Sequence, residues 1–339
     1  MTRIELDDVT KTYGSVTALD GVSLSVEAGS SLGLIGTNGA GKTTLFRLLV
    51  GHERPDAGTV RVGGRTPRSG PAVRQWVGYL PEHAGFDPRL TGREILTFHA
   101  RVRGVDSDRR DRRVRRVLRT VGLADAADRR VGGYSNGMNR RLGLATLLVG
   151  SPQVLLLDEP TASLDPAGVE AFHDLVARIR EDTDITLVVT SHVLPEVERL
   201  CDDVAVLHEG RLLAEGDIGD LEGQLEGTAT ISLRLRGPAG DELAALRDRW
   251  SDVAVERPAE RRVDLVCAEA AAFDVLADAR ERLPVDSFEV HRPGLDDVFS
   301  SLLGEQRTDA TATTNAESTD AGTTADAESA ADTEVTTDA

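Results

Sequence analysis

The chain has 339 residues, about two domains' worth at roughly 150 residues each, and its 40% of hydrophobic residues suffice for a sizeable aliphatic core. Acidic side chains outnumber basic ones by 57 to 39, and a net charge of −18 argues against broad nucleic-acid binding, which needs a basic footprint. No run approaches the ~20 apolar residues of a membrane-spanning helix, Met1–Asp8 carries no apolar signal segment, and two cysteines, Cys201 and Cys267, fit a reducing cytoplasm rather than a disulfide scaffold.

Of the 39 basic residues only Lys11 and Lys42 are lysines. An acidic surplus almost free of lysine fits a salt-rich cytoplasm, where the screening length falls to ~3 Å and surface carboxylates repel one another little. The composition is similar to that of haloarchaeal proteins. A GC-rich genome alone would explain the arginines but not the acid.

Residues 1–222 alternate β-like apolar runs with helical patterns. Three runs, Ser31–Ile35, Val154–Leu157 and Thr186–Thr190, lack polar alternation and read as strands buried on both faces of a mostly parallel sheet. Directly after the first lies Gly36-Thr37-Asn38-Gly39-Ala40-Gly41-Lys42-Thr43, followed by an apolar helix from Thr44 to Val50. This is G-x-x-x-x-G-K-[ST] between strand and helix, a phosphate cradle. Its glycines let backbone N–H groups converge on phosphate oxygens, and the helix N-terminus adds partial positive charge. Lys42 is placed for the β- and γ-phosphates and Thr43 for Mg²⁺. Keeping a compact ammonium in a chain that avoids lysine marks the position.

Ser107–Arg119 is rich in arginine, which predicts a solvated helix face with Asp111 and Arg115 paired at i,i+4, or else a contact with lipid head groups or a membrane partner. The run 154–157 ends in Asp158-Glu159, then turns at Pro160. Strand ends are where open α/β sheets bind ligands. Adjacent strand residues face opposite ways, so the two acids divide their work: Asp158 for the Mg²⁺ shell, Glu159 to polarise a water in line with the γ-phosphate. From about 228 to 304 the order strand, helix, strand, strand, helix, strand predicts a small ferredoxin-like α+β unit. Residues 305–339 are Thr/Ala/Ser-rich and acidic, too poor in apolar groups to offset the ~1–2 kcal/mol entropy cost of ordering each residue, and read as a disordered tail.

Further motifs fall in one order: Tyr13; Glu82 in Gly78-Tyr79-Leu80-Pro81-Glu82; Tyr134-Ser135-Asn136-Gly137-Met138 opening a helical pattern from Asn139; Ser163-Leu164-Asp165; and His192 after the strand 186–190. Over residues 3–222 this series resembles the ATP-binding subunits of ABC transporters. The resemblance implies an α/β P-loop NTPase fold of ABC type with a mixed sheet and a helical subdomain at about 84–150. It makes Gly36 to Thr44 (Gly36, Thr37, Asn38, Gly39, Ala40, Gly41, Lys42, Thr43, Thr44) the ATP cradle and Tyr13 the aromatic that stacks on adenine. Thr43, Glu82 and Asp158 become the Mg²⁺ side of the site, Glu159 and His192 the catalytic pair, and Asp165 the D-loop acid. Ser135, Gly137 and Met138 become the signature that completes a partner's ATP site. ATP and Mg²⁺ are the implied cofactors. The implied partners are a second copy or a paralogous ATPase and a separate permease, so the chain would sit in the cytoplasm against the inner face of the membrane, with no nucleic acid expected.

Two departures stand out. Glu82 replaces the family's usual Gln; ionised, it accepts hydrogen bonds but donates none. Asn136 and Met138 replace Gly and Gln in the signature, and Asn tolerates the positive φ a turn there would need. Arg292-Pro293-Gly294-Leu295-Asp296-Asp297-Val298-Phe299 resembles the ending of ATPases that serve ABC-2-type permeases. The loop Tyr79–Glu94 also resembles the ATPase of the copper/nitrous-oxide-reductase maturation transporter. Rival readings are a soluble ABC protein of translation or DNA repair and a regulatory subunit with weak activity. The first sits poorly with a single P-loop only about 115 residues ahead of Asp158.

Overall fold

The computed structural model describes residues 3–223, 228–237 and 242–291. The Pro293–Phe299 resemblance and the acidic tail lie outside the described residues.

In chain order the strands are β1 (Ile4–Tyr13), β2 (Val16–Val26), β3 (Ser31–Ile35), β4 (Ala57–Val62), β5 (Val77–Leu80), β6 (Val154–Asp158), β7 (Thr186–Ser191), β8 (Asp203–His208), β9 (Arg211–Asp217), β10 (Thr228–Leu235), β11 (Ala254–Ala259), β12 (Arg262–Ala268) and β13 (Val285–His291). The helices are α1 (Lys42–Leu49), α2 (Pro71–Trp76), α3 (Gly92–Val102), α4 (Ser107–Thr120), α5 (Asn136–Leu148), α6 (Pro166–Glu181), α7 (Leu194–Leu200), α8 (Ile218–Gly223), α9 (Glu242–Arg249) and α10 (Ala272–Arg282).

The central sheet runs β5-β6-β7-β3-β8-β9, parallel except at the β8–β9 edge. β3, β6 and β7 are buried at every position, as unalternated apolar runs predict. Their carboxyl ends are level: Leu34 and Asp158 both register with Thr190, and Ile35 with Ser191. The cradle after β3, the acids after β6 and His192 after β7 therefore share one edge, although β7 separates β3 from β6.

An antiparallel sheet, β2-β1-β4, lies beside this one. Ile4, Leu6, Val9, Leu19, Val22 and Leu24 on it share one core with Leu45, Phe46, Leu48 and Leu49 of α1, so α1 is anchored by apolar surface from both sheets. The packing on β3 is close. A Cβ built on Gly33 would lie 2.0 Å from Cγ1 of the buried Val197 in α7. Gly33→Ala is expected to cost about 1–3 kcal/mol through overpacking, read as a lowered urea midpoint; an unchanged midpoint would show that α7 yields freely.

Between β5 and β6 come α3, α4 and α5. α3 starts with a reciprocal cap in which Thr91 Oγ1 accepts from Glu94 N and Glu94 Oε2 accepts from Thr91 N. On α4, Val114, Val117 and Leu118 are buried and Arg109, Arg112, Arg115, Arg116 and Arg119 are exposed, so most of its arginines form the solvated face. Arg113 does otherwise. Its guanidinium donates to Leu148 O and Val149 O at the end of α5, satisfying carbonyls that the helix leaves open.

Residues 228–291 form an antiparallel sheet in the order β11-β12-β10-β13 with α9 and α10 between strands. That is the ferredoxin-like arrangement expected from the order of elements. Its own core is built from alternate residues: Ala229, Ile231, Leu233 and Leu235 of β10, Val263, Leu265 and Cys267 of β12, and Val275, Leu276 and Ala279 of α10.

Candidate nucleotide site

The cradle is set by two close approaches. Gly41, the residue before α1, has φ +109°, and a Cβ there would lie 2.4 Å from Ala18 O. A Cβ on Gly36 would lie 2.2 Å from Leu207 O. No side chain fits at either point, so the loop is clamped between β2 and β8, and Ala40 N closes it by donating to Thr37 O at 3.1 Å. Lys42, 7% exposed, folds back over the loop and donates to Gly36 O at 2.6 Å and Thr37 O at 3.3 Å. Burial holds its amine below the ordinary lysine range, while Glu159 and Asp158 pull it back up.

Thr37, Asn38, Gly39, Ala40, Gly41, Lys42, Thr43 and Thr44 line one cavity of about 190 Å³ with Glu82, Asp158 and Glu159. Thr43, Glu82 and Asp158 bring a hydroxyl and two carboxylates, a hard-oxygen set that suits Mg²⁺ bound with phosphate oxygens. Asp158 is fixed by Thr190 Oγ1 (2.7 Å) and Tyr79 OH (3.0 Å), both donating to it, with lone pairs to spare. Burial, and then Asp158 itself, push the Tyr79 phenol above its usual range, so it stays a donor. The exposed Glu82 has His83 Nδ1 at 3.8 Å as its neighbour.

Glu159 has φ +42°, a left-handed conformation that costs a non-glycine residue about 1–2 kcal/mol. Its N–H is held by both Thr190 O (3.1 Å) and Thr190 Oγ1 (3.0 Å). Its Oε2 lies 2.8 Å from His192 Nδ1. Only 14% of the Glu159 side chain is exposed, against 62% for His192.

Of the residues resembling a signature, Ser135 and Gly137 line a second cavity and Met138 does not. α5 begins at Asn136, earlier than the pattern from Asn139 predicts, because Ser135 caps it by accepting from Met138 N at 3.2 Å. Asn136 lies in the first helical turn and is not among the described non-glycine residues with positive φ; the tolerance expected of Asn is not used. Instead its amide donates to Ser163 O at 3.2 Å, tying the signature to the D-loop. Asp165 caps α6, accepting from Gly168 N at 3.0 Å. Ser135, Asn136, Gly137 and Asp165 line a cavity of about 450 Å³ that shares no residue with the cradle. Tyr13 does not line the cradle cavity either. It is 39% exposed at the end of β1, with Lys11 Nζ 5.4 Å from its ring centroid. Lys11 is pinned by Asp56 at 3.0 Å.

One residue escaped the sequence reading. Arg140, on α5, is 7% exposed and donates to five backbone carbonyls around the site. No local signal singles it out: residues 142–149 are buried on every side of the helix, and Arg141 stands in the same i, i+3, i+4, i+7 relation to Leu144, Ala145 and Leu148 yet is only half-buried.

The ABC transporter family model matches residues 19–162. The Nod factor export ATP-binding protein I of Paraburkholderia xenovorans is 39% identical over 90% of this chain and 98% of its own length. The daunorubicin/doxorubicin resistance ATP-binding protein DrrA of Streptomyces peucetius is 36% identical over 93% of this chain and 96% of its own. The linearmycin resistance ATP-binding protein LnrL of Bacillus subtilis is 32% identical over 90% and 100%. Among solved structures, an ATP-binding subunit of an ABC transporter superposes with a TM-score of 0.59 at 28% identity, covering 65% of this chain and 92% of that one. The cbiO1 subunit from Clostridium perfringens gives 0.59 at 27% identity, covering 63% and 88%.

Proposed function

Since this chain belongs to the family of ABC transporter ATP-binding proteins and is an ATPase, we propose that it energises an ABC-2-type export permease from the cytoplasmic face of the membrane. The cradle cavity, with Lys42, Thr43, Glu82, Asp158 and Glu159 in its lining, carries this reading. Amides of the loop and Lys42 bind the phosphates. Thr43, Glu82 and Asp158 would hold Mg²⁺, which would supply positive charge to offset that of the phosphates. Glu159 takes the proton of the attacking water, and His192 orients the Glu159 carboxylate. Tyr13 supplies a ring for the adenine.

Separation of the signature cavity from the cradle supports a pairing of two ATPases. One chain offers two half-sites with no lining residue in common, and head-to-tail association with a second copy or a paralogue would complete both. ATP would then shift the population toward the closed pair.

No described helix is long and apolar enough to cross a membrane. Phe98 and Val102 of α3 are 61% and 66% exposed. Val102 lines a groove of about 520 Å³ that reaches Leu49, His52 and Tyr79, whose hydroxyl holds Asp158. This groove suits a permease segment that must sense the site. The names of the relatives favour export over the copper-maturation, translation and DNA-repair readings.

The test is purification of tagged Glu159→Gln from solubilised host membranes with ATP and high salt. A polytopic membrane protein at near-stoichiometric yield is expected. Adding Val102→Asp, in that groove, should abolish its recovery without lowering the thermal unfolding midpoint. Recovery of ribosomal or DNA-bound proteins alone would reassign the ATPase to other work.

A further inference from the structure

We propose that Arg140 is a positioning residue that clamps the Glu82 loop and the Asp158-Glu159-Pro160 turn to the signature helix, so that the two halves of the ATP site move with α5. This rests on the ATPase reading above and adds to it the element that keeps Glu159 aimed.

A guanidinium carries five N–H groups in a fixed plane. Here there are five carbonyl contacts. Nη1 donates to Pro81 O (2.6 Å) and Glu82 O (3.0 Å). Nη2 donates to Asp158 O (2.8 Å) and Glu159 O (3.1 Å), and Nε donates to Pro160 O (2.5 Å). One side chain therefore saturates itself on two loops that follow different strands, β5 and β6. An extended strand points successive carbonyls to opposite sides. Three consecutive carbonyls, 158 to 160, converge on Arg140 because Glu159 at φ +42° breaks that alternation. The strained backbone that presents the Glu159 carboxylate to His192 is the same backbone that Arg140 grips.

The helix is well placed to act as a lever. Arg140 lies five residues after Ser135, which caps α5 and lines the signature cavity. α5 packs closely on β5: a Cβ on Gly143 would lie 2.7 Å from Leu80 Cδ1. A shift of the signature on meeting a partner's nucleotide would be carried through Arg140 to both loops, without a chain of intermediate contacts. A lysine has the reach but not the planar fork, and an apolar side chain would take the guanidinium from all five carbonyls, leaving Glu159 O with Ala162 N at 3.2 Å.

The experiment compares the full-length wild type with Arg140→Met and Arg140→Lys in molar KCl. Steady-state ATP turnover gives kcat and KM, and hydrogen–deuterium exchange of the nucleotide-free chains follows the peptides spanning 81–84 and 158–162. For Arg140→Met we expect kcat to fall at least tenfold with KM within threefold, and both peptides to exchange faster. Arg140→Lys should fall between Met and wild type in both readouts. If Arg140→Met does not accumulate folded, Arg140→Lys decides alone: a two- to tenfold loss of kcat at constant KM supports the clamp, and wild-type kcat overturns it. Unchanged exchange in both loops overturns it as well, as does a rise in KM that accounts for the loss of turnover. If the wild type itself turns over no ATP, the ATPase reading fails, while the exchange data still test the clamp.

Discussion

Glu159→Gln is expected to bind ATP as tightly as the wild type, to release phosphate about 10²–10⁴-fold more slowly, and to collect as a dimer. The amide has the shape of the carboxylate, so the left-handed turn and the N–H bonds to Thr190 survive. Its oxygen or its nitrogen can face His192 Nδ1, which lies 2.8 Å from Glu159 Oε2. What is lost is basicity: an amide cannot take the proton of the attacking water. With hydrolysis blocked, ATP favours the closed pair by mass action, in proportion to its preference for that state. Single-turnover phosphate release and light scattering with and without ATP read the two effects. Phosphate release at the wild-type rate would remove Glu159 from the chemistry. Slow release with no ATP-dependent dimer would leave Glu159 in place and overturn the head-to-tail pairing.

The parts of this site that a sequence declares are those whose chemistry forces residue type and spacing together. A strand buried on both faces confines its polar residues to its ends, as Ser31 and Asp158 show, so Leu32–Ile35 and Val154–Leu157 are visible as runs, and the glycines and acids beyond them are placed by the strand ends. The C-terminal unit is legible for a related reason. Its two central strands, β10 and β12, alternate cleanly, as in Arg262–Ala268, where Val263, Leu265 and Cys267 point inward. What stays hidden is pairing between segments distant in the chain. The β2-β1-β4 sheet needs Ile4 opposite both Val26 and Val62, a register no local pattern announces. The start of α5 is misjudged because Asn136 and Gly137 are weak helix formers, and the cap at Ser135, not their propensity, begins the helix. Arg140 is hidden for another reason: arginine is read as a surface residue by default, and α5 is buried on every side from Leu142 onward, so periodicity does not separate Arg140 from Arg141.

Lys42→Met should separate stability from function at one residue. Methionine fills the volume of the stem but brings no charge to the phosphates. Losing a buried, charge-assisted contact of this kind costs about 2–5 kcal/mol, which is roughly a 30-fold to several-thousand-fold loss of ATP affinity. The nucleotide-free chain should respond in the opposite sense. Burial is the largest influence on Lys42 and holds its amine below the ordinary lysine value, outweighing the pull of Glu159 and Asp158. A base whose affinity for protons is lower folded than unfolded costs stability at neutral pH, where both states carry the proton. That cost is relieved only as pH rises through the window between the lowered folded value and the ordinary one, where the unfolded chain binds more protons. Removing the charge removes the cost. The apo Lys42→Met variant should therefore melt no lower than the wild type at pH 7, gaining about 2–4 °C for each kcal/mol relieved. Its melting point should lack the alkaline rise that Lys42 contributes to the wild type. A lower melting point at pH 7 would mean that the bonds to Gly36 O and Thr37 O stabilise the empty loop more than burial of the ammonium destabilises it. Unchanged ATP affinity would mean that the amine never leaves those carbonyls for the nucleotide, and the phosphate cradle would then work by its amides alone.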